Sequence, residues 1–231
     1  MKFANLRKGL VVRRLNRFVV EARDEAGRMF PLHLANSGRL RELIVPGREL
    51  RYEPCDGDPC RKTAGRLQLL RNEAGLWVCI DAVIPNAVVG EALGDGALEA
   101  FRDYPEVRRE HTMGDSRLDF FLSNGGQHAA IEVKSVTLVE SGVALFPDAP
   151  TERGLKHLHE LARLCSEGLR AAVIFLIQRE DALRFTPNDR TQPEFRAKLR
   201  EVRKLGVQVL AYDCRVTERE IRLRQPVPVE L

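Results

Sequence analysis

Residues 116–138 read SRLDFFLS, NGGQ and HAAIEVKSVTL in succession, and this stretch decides the fold of the second half of the chain. Both flanks are apolar and partly β-branched, whereas residues 124–127 between them include two glycines. This pattern predicts two antiparallel strands joined by a tight turn, which is a β-hairpin. Side chains alternate in direction along a strand, so Glu132 and Lys134 should project from the same face.

The register of the hairpin decides whether Asp119 shares that face. If residues 124–127 form a four-residue connection, Ser123 pairs with His128. The ladder then places Asp119 opposite Glu132, with Cβ atoms about 5 Å apart. A two-residue connection keeps the same face, whereas a connection of odd length places Asp119 on the opposite one. An even connection therefore brings two carboxylates and one ammonium group together in an otherwise apolar sheet.

Two explanations fit these charged side chains. The first is a solvent-facing ion pair on an edge strand, which is common where charge alternates along a strand. The second is a site for Mg²⁺ or Mn²⁺, in which Asp119 and Glu132 are the metal ligands and a substrate phosphate replaces water on the ion. Lys134 then orients the attacking water and offsets charge on the phosphorane. The candidate catalytic residues of this second interpretation are Asp119, Glu132 and Lys134.

An aspartate followed by Glu-x-Lys on a hairpin is the pattern of the PD-(D/E)XK nuclease superfamily, which this stretch resembles. The residue before the aspartate is Leu118 rather than proline. This departure weakens the pattern only slightly, because the aspartate rather than the proline carries the chemistry. The resemblance implies a nuclease-like domain built around the hairpin.

The segments that flank the hairpin alternate between helix and strand signals. Helices are predicted over 87–101, over 152–167, where Thr151 is the N-cap, and over 194–205. Residues 107–112 lead through a turn at Gly114 into the hairpin, and strands are predicted over 170–178, 207–212 and 221–224. This order predicts an α/β domain with a mixed sheet and helices packed on it, which is the architecture of the nuclease superfamily.

The first 84 residues are predicted to form a separate OB-like nucleic-acid-binding domain. Short strand-like runs are separated by turn residues, and five strands in about 80 residues are typical of a small OB-type barrel. The runs cover 10–22, 28–34, 49–52, 65–70 and 76–83, with a short helix over 39–44. Pro85-Asn86 marks the boundary, so residues 85–231 are predicted to form the nuclease-like domain.

Basic residues are concentrated at the start of the chain. The net charge is +4 overall, yet the first 82 residues carry 16 basic and 10 acidic side chains, which is +6. Such a cluster attracts phosphate backbones, and the alternative is a solubilising surface. The predicted phosphate contacts are Arg13, Arg14 and Arg17. Aromatic candidates for stacking on bases are Phe3, Phe18 and Trp77, with core packing as the alternative use.

A second phosphate site is predicted at the start of the helix over 152–167. Its polar face carries Arg153, Lys156 and His157. Free backbone N–H groups at a helix N-terminus favour anions, so these side chains are candidate nucleic-acid contacts. The alternative is an ordinary solvated face, and the hairpin that precedes the helix favours the phosphate site.

Composition and cysteine usage indicate a cytoplasmic globular protein. No apolar run approaches about 20 residues, and no signal-peptide core follows the N-terminus. The five cysteines are scattered, which predicts reduced thiols. Cys55 and Cys60 have the spacing of half a zinc site, but no second pair follows at ligand spacing.

Segments spread over nearly the whole chain together resemble the sugar fermentation stimulation protein A family. They are Arg13-Arg14 with Arg17-Phe18, HLANSG at 33–38, Pro85-Asn86, SRLDF at 116–120, EVKSVTL at 132–138, FPDAPTERGLKHL at 146–158 and Gln178-Arg179. The resemblance implies a bacterial or archaeal cytosolic protein with an OB-like domain and a PD-(D/E)XK-like domain. It also implies DNA binding and a link to the regulation of sugar utilisation genes. Where many members have Asp-Pro, this chain has Gln192-Pro193, so no role is expected for that acid.

Three functions remain open from the sequence. The first is DNA binding without strong sequence specificity, since no helix-turn-helix pattern is present. The second is a Mg²⁺-dependent endonuclease or phosphodiesterase that uses Asp119, Glu132 and Lys134. The third is an interaction module for RNA or protein. The oligomeric state does not follow from the residues.

Overall fold

The N-terminal part of the chain is a small β-barrel in the computed structural model, which describes residues 1–55, 62–113 and 116–231. Its strands are β1 (Arg7–Asn16), β2 (Val19–Arg23), β3 (Met29–His33), β4 (Glu49–Pro54), β5 (Gly65–Arg71) and β6 (Trp77–Cys79). They lie in the order β3-β2-β1-β4-β5-β6, and a further parallel pairing of β3 with β5 closes a five-stranded barrel. The predicted OB-like fold is confirmed. Cys60 and the turn predicted at Gly114 lie outside the described residues.

Two predictions inside the barrel are wrong. The strand predicted over 10–22 is two antiparallel strands, β1 and β2, with a turn between them. The side chain of Asn16 accepts a hydrogen bond from the N–H of Phe18 at 2.9 Å, which is a local turn that the apolar run conceals. The helix predicted over 39–44 is a series of turns, because Leu40 has a positive φ of 49° that an α-helix does not tolerate.

The barrel interior is filled by aliphatic side chains from every wall. Leu32, Leu50, Leu67 and Val78 come from four different strands and have no exposed surface. Leu43 closes one end from the turn segment and is likewise fully buried. Each such side chain contributes about 1.5–3 kcal/mol relative to exposure, which explains why the turn segment packs inward without helical structure.

The remainder of the chain is a three-layer α/β unit. Its elements are α1 (Ile84–Gly94), β7 (Glu106–Met113), β8 (Ser116–Asn124), β9 (Gln127–Val136), β10 (Val139–Glu140), β11 (Val143–Phe146), α2 (Glu152–Ser166), β12 (Arg170–Ile177), β13 (Arg184–Pro187), α3 (Pro193–Lys204), β14 (Gln208–Val216) and β15 (Ile221–Pro226). The large sheet has the order β15-β14-β12-β9-β8-β7, with β9, β12 and β14 parallel to one another. The predicted mixed sheet is therefore confirmed.

Helices cover both faces of this sheet. Helix α1 packs on one face, where Val88 and Val89 lie in one apolar cluster with Ile131 and Ile174. Helices α2 and α3 pack on the opposite face in a second cluster whose members include Leu161, Leu199, Ala130, Val173 and Phe175. Because apolar residues from β9 and β12 occur in both clusters, these strands are buried on both sides, as the near-continuous apolar sequence of β12 predicts.

The structure corrects both ends of the first predicted helix and adds a small sheet. The helix predicted over 87–101 begins at Ile84 and ends at Gly94, and a separate 3₁₀ turn covers Glu99–Phe101. Pro85 lies in the first turn of α1, where its missing N–H is not needed, so it starts the helix rather than preceding it. A small sheet of β10, β11 and β13 was not predicted, because strands of two to four residues carry little pattern.

The hairpin connection has the even length that the site requires. Asn124 pairs with Gln127, and the two residues between them, Gly125 and Gly126, have φ values of 58° and 155°. Ser123 pairs with His128, as predicted. Positive φ values at both turn positions explain why glycines occupy them.

Side-chain contacts join the barrel to the sheet. The buried guanidinium of Arg51 on β4 donates to both carboxylate oxygens of Glu218, in the β14–β15 connection, at 3.0 and 2.8 Å. The fully buried amide of Gln178 donates to the carbonyls of Cys79 and Asp81. Within the described residues, no helix is long and apolar enough to cross a membrane.

Candidate active site in the cleft between barrel and sheet

A cleft of about 520 Å³ lies where the barrel meets the C-terminal end of β9. The barrel contributes Arg17 and residues 36–38, and α1 contributes Asn86. The opposite wall is formed by Asp119, residues 132–137, residues 145–150, the first turn of α2 and His157. The cleft therefore collects side chains from most of the segments that carry the family resemblance.

Asp119 is held at the point where β8 and β9 separate. The last main-chain pair of the hairpin ladder joins Phe120 to Ile131. Beyond this pair, the N–H of Val133 donates to the carboxylate of Asp119 at 2.8 Å rather than to the main chain of β8. Its other oxygen accepts a hydrogen bond from Asn86 Nδ2 at 2.7 Å. Burial raises the pKa of Asp119 above its ordinary value, and the negative charge of Glu132 adds to the rise.

Glu132 and Lys134 form a buried ion pair on a central strand. Their relative exposures are 4% and 9%, and Lys134 Nζ donates to Glu132 Oε1 at 2.6 Å. Strand β9 lies between β8 and β12, so the pair is not the solvent-facing pair of an edge strand. Burial by itself would raise the pKa of Glu132, but the hydrogen bond from His157 and the charge of Lys134 outweigh it and lower that pKa.

Helix α2 brings His157 and Arg153 to this ion pair. Thr151 Oγ1 accepts the N–H of Gly154 at 2.9 Å, which confirms Thr151 as the N-cap and fixes the first turn at the cleft. His157 Nδ1 contacts Glu132 Oε1 and lies 3.2 Å from Lys134 Nζ. Arg153 Nε donates to His157 Nε2 at 3.2 Å, so Nδ1 carries the ring proton toward the carboxylate. Lys156, in contrast, is exposed on α2 and is not part of the cleft lining.

The three predicted arginines of the barrel have different surroundings. The guanidinium of Arg14 donates to main-chain carbonyls of Asn16, Arg17, Gly38 and Arg39. Arg13 forms an exposed ion pair with Glu21 at 2.8 Å. Arg17 lines the cleft. Of the three, Arg17 is the one that the structure brings together with the hairpin site.

Several residues that shape the cleft were not predicted from the sequence. Asn36 Nδ2 donates to the carbonyl of Ile80 at 2.7 Å, and Asn36 Oδ1 accepts the N–H of Gly38 at 2.7 Å. Asp148 Oδ2 accepts the N–H of Leu40 at 3.0 Å, and a Cβ at position 38 would lie 2.8 Å from that oxygen. These residues occur in the HLANSG and FPDAPTERGLKHL segments, which carry part of the family resemblance. The resemblance alone does not say what each side chain does.

The side chain of Gln192 bonds to the N-cap residue of α2. This side chain is buried, and Oε1 accepts the N–H of Thr151 at 2.9 Å. An amide oxygen makes this bond as well as a carboxylate oxygen would. The departure from Asp-Pro to Gln192-Pro193 therefore leaves the N-terminus of α2 held in place.

The donor set at the hairpin fits a hard divalent cation. Among the described residues, no group of three or more His, Cys, Asp and Glu side chains is arranged to hold a metal. Mg²⁺ needs fewer, since one or two carboxylates, waters and substrate phosphates complete its shell. The N–H and C=O of one strand residue point to the same side. Because the N–H of Val133 points to Asp119, its carbonyl is a third oxygen on the side of Asp119.

The fold and this constellation define an OB-type barrel followed by a PD-(D/E)XK nuclease-like sheet. Residues 12–80 match the SfsA N-terminal OB domain, and residues 83–220 match the sugar fermentation stimulation protein RE domain. The chain belongs to the sugar fermentation stimulation protein family.

Relatives of similar length support this assignment. The sugar fermentation stimulation protein homologue of Moorella thermoacetica is 45% identical, over 99% of this chain and 98% of its own. The homologue of Desulforamulus reducens is 43% identical, over 97% of this chain and 92% of its own. The structure of Pyrococcus furiosus SfsA in complex with Ca²⁺ has a TM-score of 0.89 and 28% identity, and covers 100% of this chain and 98% of its own.

Proposed function

We propose that this protein binds DNA in the cleft between barrel and sheet, through phosphate contacts that depend little on base sequence. One observation carries the proposal: cationic side chains from two separate elements, Arg17 and Arg153, line the same cleft as the carboxylate–lysine hairpin. Phosphate contacts position nucleic acid without reading its sequence. A cytoplasmic location and a role in the regulation of sugar utilisation genes belong to the same proposal.

The charges on the cleft walls favour a divalent cation as part of this complex. Asp119 and Glu132 alone would repel a phosphate, whereas Arg17, Lys134 and Arg153 attract it. A Mg²⁺ or Mn²⁺ ion held by Asp119, Glu132 and the Val133 carbonyl would reverse the local sign. The Pyrococcus furiosus relative, which was solved in complex with Ca²⁺, supports cation binding in this fold.

A second candidate function is hydrolysis of the phosphodiester backbone. It is favoured by the specific juxtaposition of the half-buried Asp119 with the buried Glu132 and Lys134. The bound ion would supply Lewis-acid stabilisation of the phosphate oxygens. Lys134 Nζ, held by Glu132 at 2.6 Å, orients the attacking water and offsets the charge that develops on the phosphorus oxygens. His157 contacts the same oxygen of Glu132 as Lys134 does.

The binding proposal is tested by salt-dependent affinity for duplex and single-stranded DNA. Each of Arg17→Ala and Arg153→Ala is expected to lower the slope of log Kd against log salt by about 1, because one phosphate contact and its counterion release are lost. Arg203→Ala removes an exposed arginine on α3, outside the cleft lining, and should leave the slope unchanged. A wild-type slope near zero would instead support the interaction-module alternative.

The hydrolysis candidate is tested by cleavage of plasmid and single-stranded DNA with Mg²⁺ or Mn²⁺. Glu132→Gln and Lys134→Met are each expected to lower the rate at least about 100-fold, because each removes a charge at the reacting phosphate. Glu110→Gln is the matched control, since Glu110 is exposed on β7 and pairs with Arg117 at 3.1 Å. Binding without cleavage in either metal would leave DNA binding as the function.

A further inference from the structure

The turn between β1 and β2 exposes an aromatic ring that the fold does not use. Phe18 is 46% exposed, and it is the single aromatic among the large hydrophobic side chains exposed in the described part of the chain. The other two aromatic candidates are accounted for, because Phe3 packs against the apolar cluster beneath α1 and Trp77 is 8% exposed within it. Phe18 therefore needs a separate explanation.

The turn holds the main chain of Phe18 in place. The N–H of Phe18 donates to Asn16 Oδ1 at 2.9 Å, and its carbonyl accepts the N–H of Leu34 at 2.8 Å. The guanidinium of Arg14 donates to the carbonyls of Arg17 and Gly38 at 2.8 and 3.0 Å. These bonds fix the turn to the neighbouring loop, so little main-chain freedom is lost when a ligand contacts the ring.

The ring stands beside a cation of the cleft. Arg17 Cζ lies 5.4 Å from the centroid of Phe18, within the range of a cation–π contact. The same Arg17 lines the cleft with Asp119 and Glu132. An aromatic face next to a cationic groove is the arrangement that binds single-stranded nucleic acid, because bases stack on the ring while the groove follows the phosphates.

We infer that Phe18 is a stacking site for an unpaired nucleobase, so the preferred ligand of the cleft is DNA with a single-stranded segment. The inference rests on the proposed DNA binding and names its substrate class. In a duplex each base is stacked between its neighbours and offers no free face to the ring. Phe18 therefore contributes to the affinity for single strands and not to the affinity for duplex.

The test compares affinities for a labelled single-stranded oligonucleotide and its duplex, by fluorescence anisotropy with Ca²⁺ and again with EDTA. Phe18→Ala is expected to weaken single-strand binding about 10-fold, since one stacked base is lost, and to leave duplex affinity unchanged. Phe18→Leu keeps an apolar side chain without a π face and should lose as much, whereas Phe18→Trp should restore binding. Met29→Ala is the control, because Met29 is 50% exposed on β3 of the same barrel.

Three results would overturn the inference in distinguishable ways. Equal effects of Phe18→Ala on both DNAs, or no effect on either, would exclude stacking while leaving DNA binding intact. Self-association of the wild type that Phe18→Ala abolishes, with both DNA affinities unchanged, would make Phe18 and the exposed Leu15 a protein contact. No binding of the wild type to either DNA would remove the proposed function together with the inference.

Discussion

The two walls of the cleft use their charged side chains in opposite ways. Behind the barrel wall, the guanidinium of Arg14 donates to the main-chain carbonyls of Arg17 and Gly38, which line the cleft. On the sheet wall, Glu132 and Lys134 are buried and pair with each other and with His157. The bonds of Arg14 hold the fold, whereas an ion pair with both members buried on a central strand at a cleft indicates a functional site. The count of basic residues in a sequence does not separate these two uses.

Further from the cleft, the barrel arginines remain structural. Arg51 on β4 is 2% exposed, donates to Glu218, and lies 4.6 Å from the ring of Trp77. Arg66 on β5 donates to the buried Asp81 at 2.6 Å. Each of these contacts ties a barrel strand to a neighbouring segment or to the sheet. Part of the positive charge of the barrel is therefore neutralised by ion pairs within the molecule.

The largest expected effect is on stability and tests whether the buried barrel arginine Arg51 holds the fold. We expect Arg51→Ala to lower the free energy of unfolding by about 2–4 kcal/mol, because it removes a buried guanidinium with its ion pairs and its packing on Trp77. Urea denaturation followed by fluorescence measures the change. The hydrogen bonds from Arg51 also hold the pKa of Glu218 below its ordinary value, so the variant should raise that pKa.

A matched barrel arginine provides the control for Arg51. Arg13 pairs with Glu21 at 2.8 Å, but its side chain is 68% exposed. Arg13→Ala should therefore change the free energy of unfolding by no more than about 0.5 kcal/mol. Equal losses for the two variants would show that burial does not distinguish the barrel arginines, and the contrast between the walls would fail.

The hairpin could be predicted from the sequence because its signals are local. The glycines at 125 and 126, the alternating side chains and the Glu-x-Lys spacing fix the faces of β8 and β9 without knowledge of the rest of the chain. The contact between Asn86 and Asp119 joins residues 33 positions apart, and no local sequence pattern predicts it. The role of Arg14 likewise depends on where the 36–39 loop packs. Sequence periodicity predicts which face of a strand a side chain occupies, whereas the partners that it contacts follow only from the tertiary structure.

The next prediction tests the sheet wall, where the charges should not be needed for stability. We expect the double variant Glu132→Gln/Lys134→Met to be as stable as the wild type, or more stable by about 1 kcal/mol, since a buried ion pair is often replaced without loss. Thermal and urea unfolding measure the difference. The single variant Lys134→Met should be less stable than the double variant, because it leaves the Glu132 charge buried beside His157 alone. A double variant less stable than the single one would assign the pair a structural role.

The smallest expected effect concerns Glu42, a barrel carboxylate outside the cleft lining, in a neighbouring pocket that it shares with Glu140 and Asp148. Its Oε1 is buried without a hydrogen-bond partner among the described residues. Burial is the largest influence on the pKa of Glu42 and raises it, and the charges of Asp148 and Glu140 raise it further. A main-chain hydrogen bond and the charge of Arg179 lower the pKa, but the net shift is upward. The folded state therefore binds the proton more tightly than the unfolded chain does.

The pH dependence follows from that sign. The stability that Glu42 contributes is fully present below the ordinary carboxyl pKa and is lost as pH rises through the raised pKa of the folded state. Glu42→Gln should accordingly raise the Tm at neutral pH, and the gain should shrink as acidification protonates the wild-type side chain. Glu25→Gln removes the same charge from an exposed site of the barrel and should show no such convergence. If the gain from Glu42→Gln stays constant with pH, the folded state does not bind the Glu42 proton more tightly than the unfolded chain, and burial does not raise the pKa of this side chain.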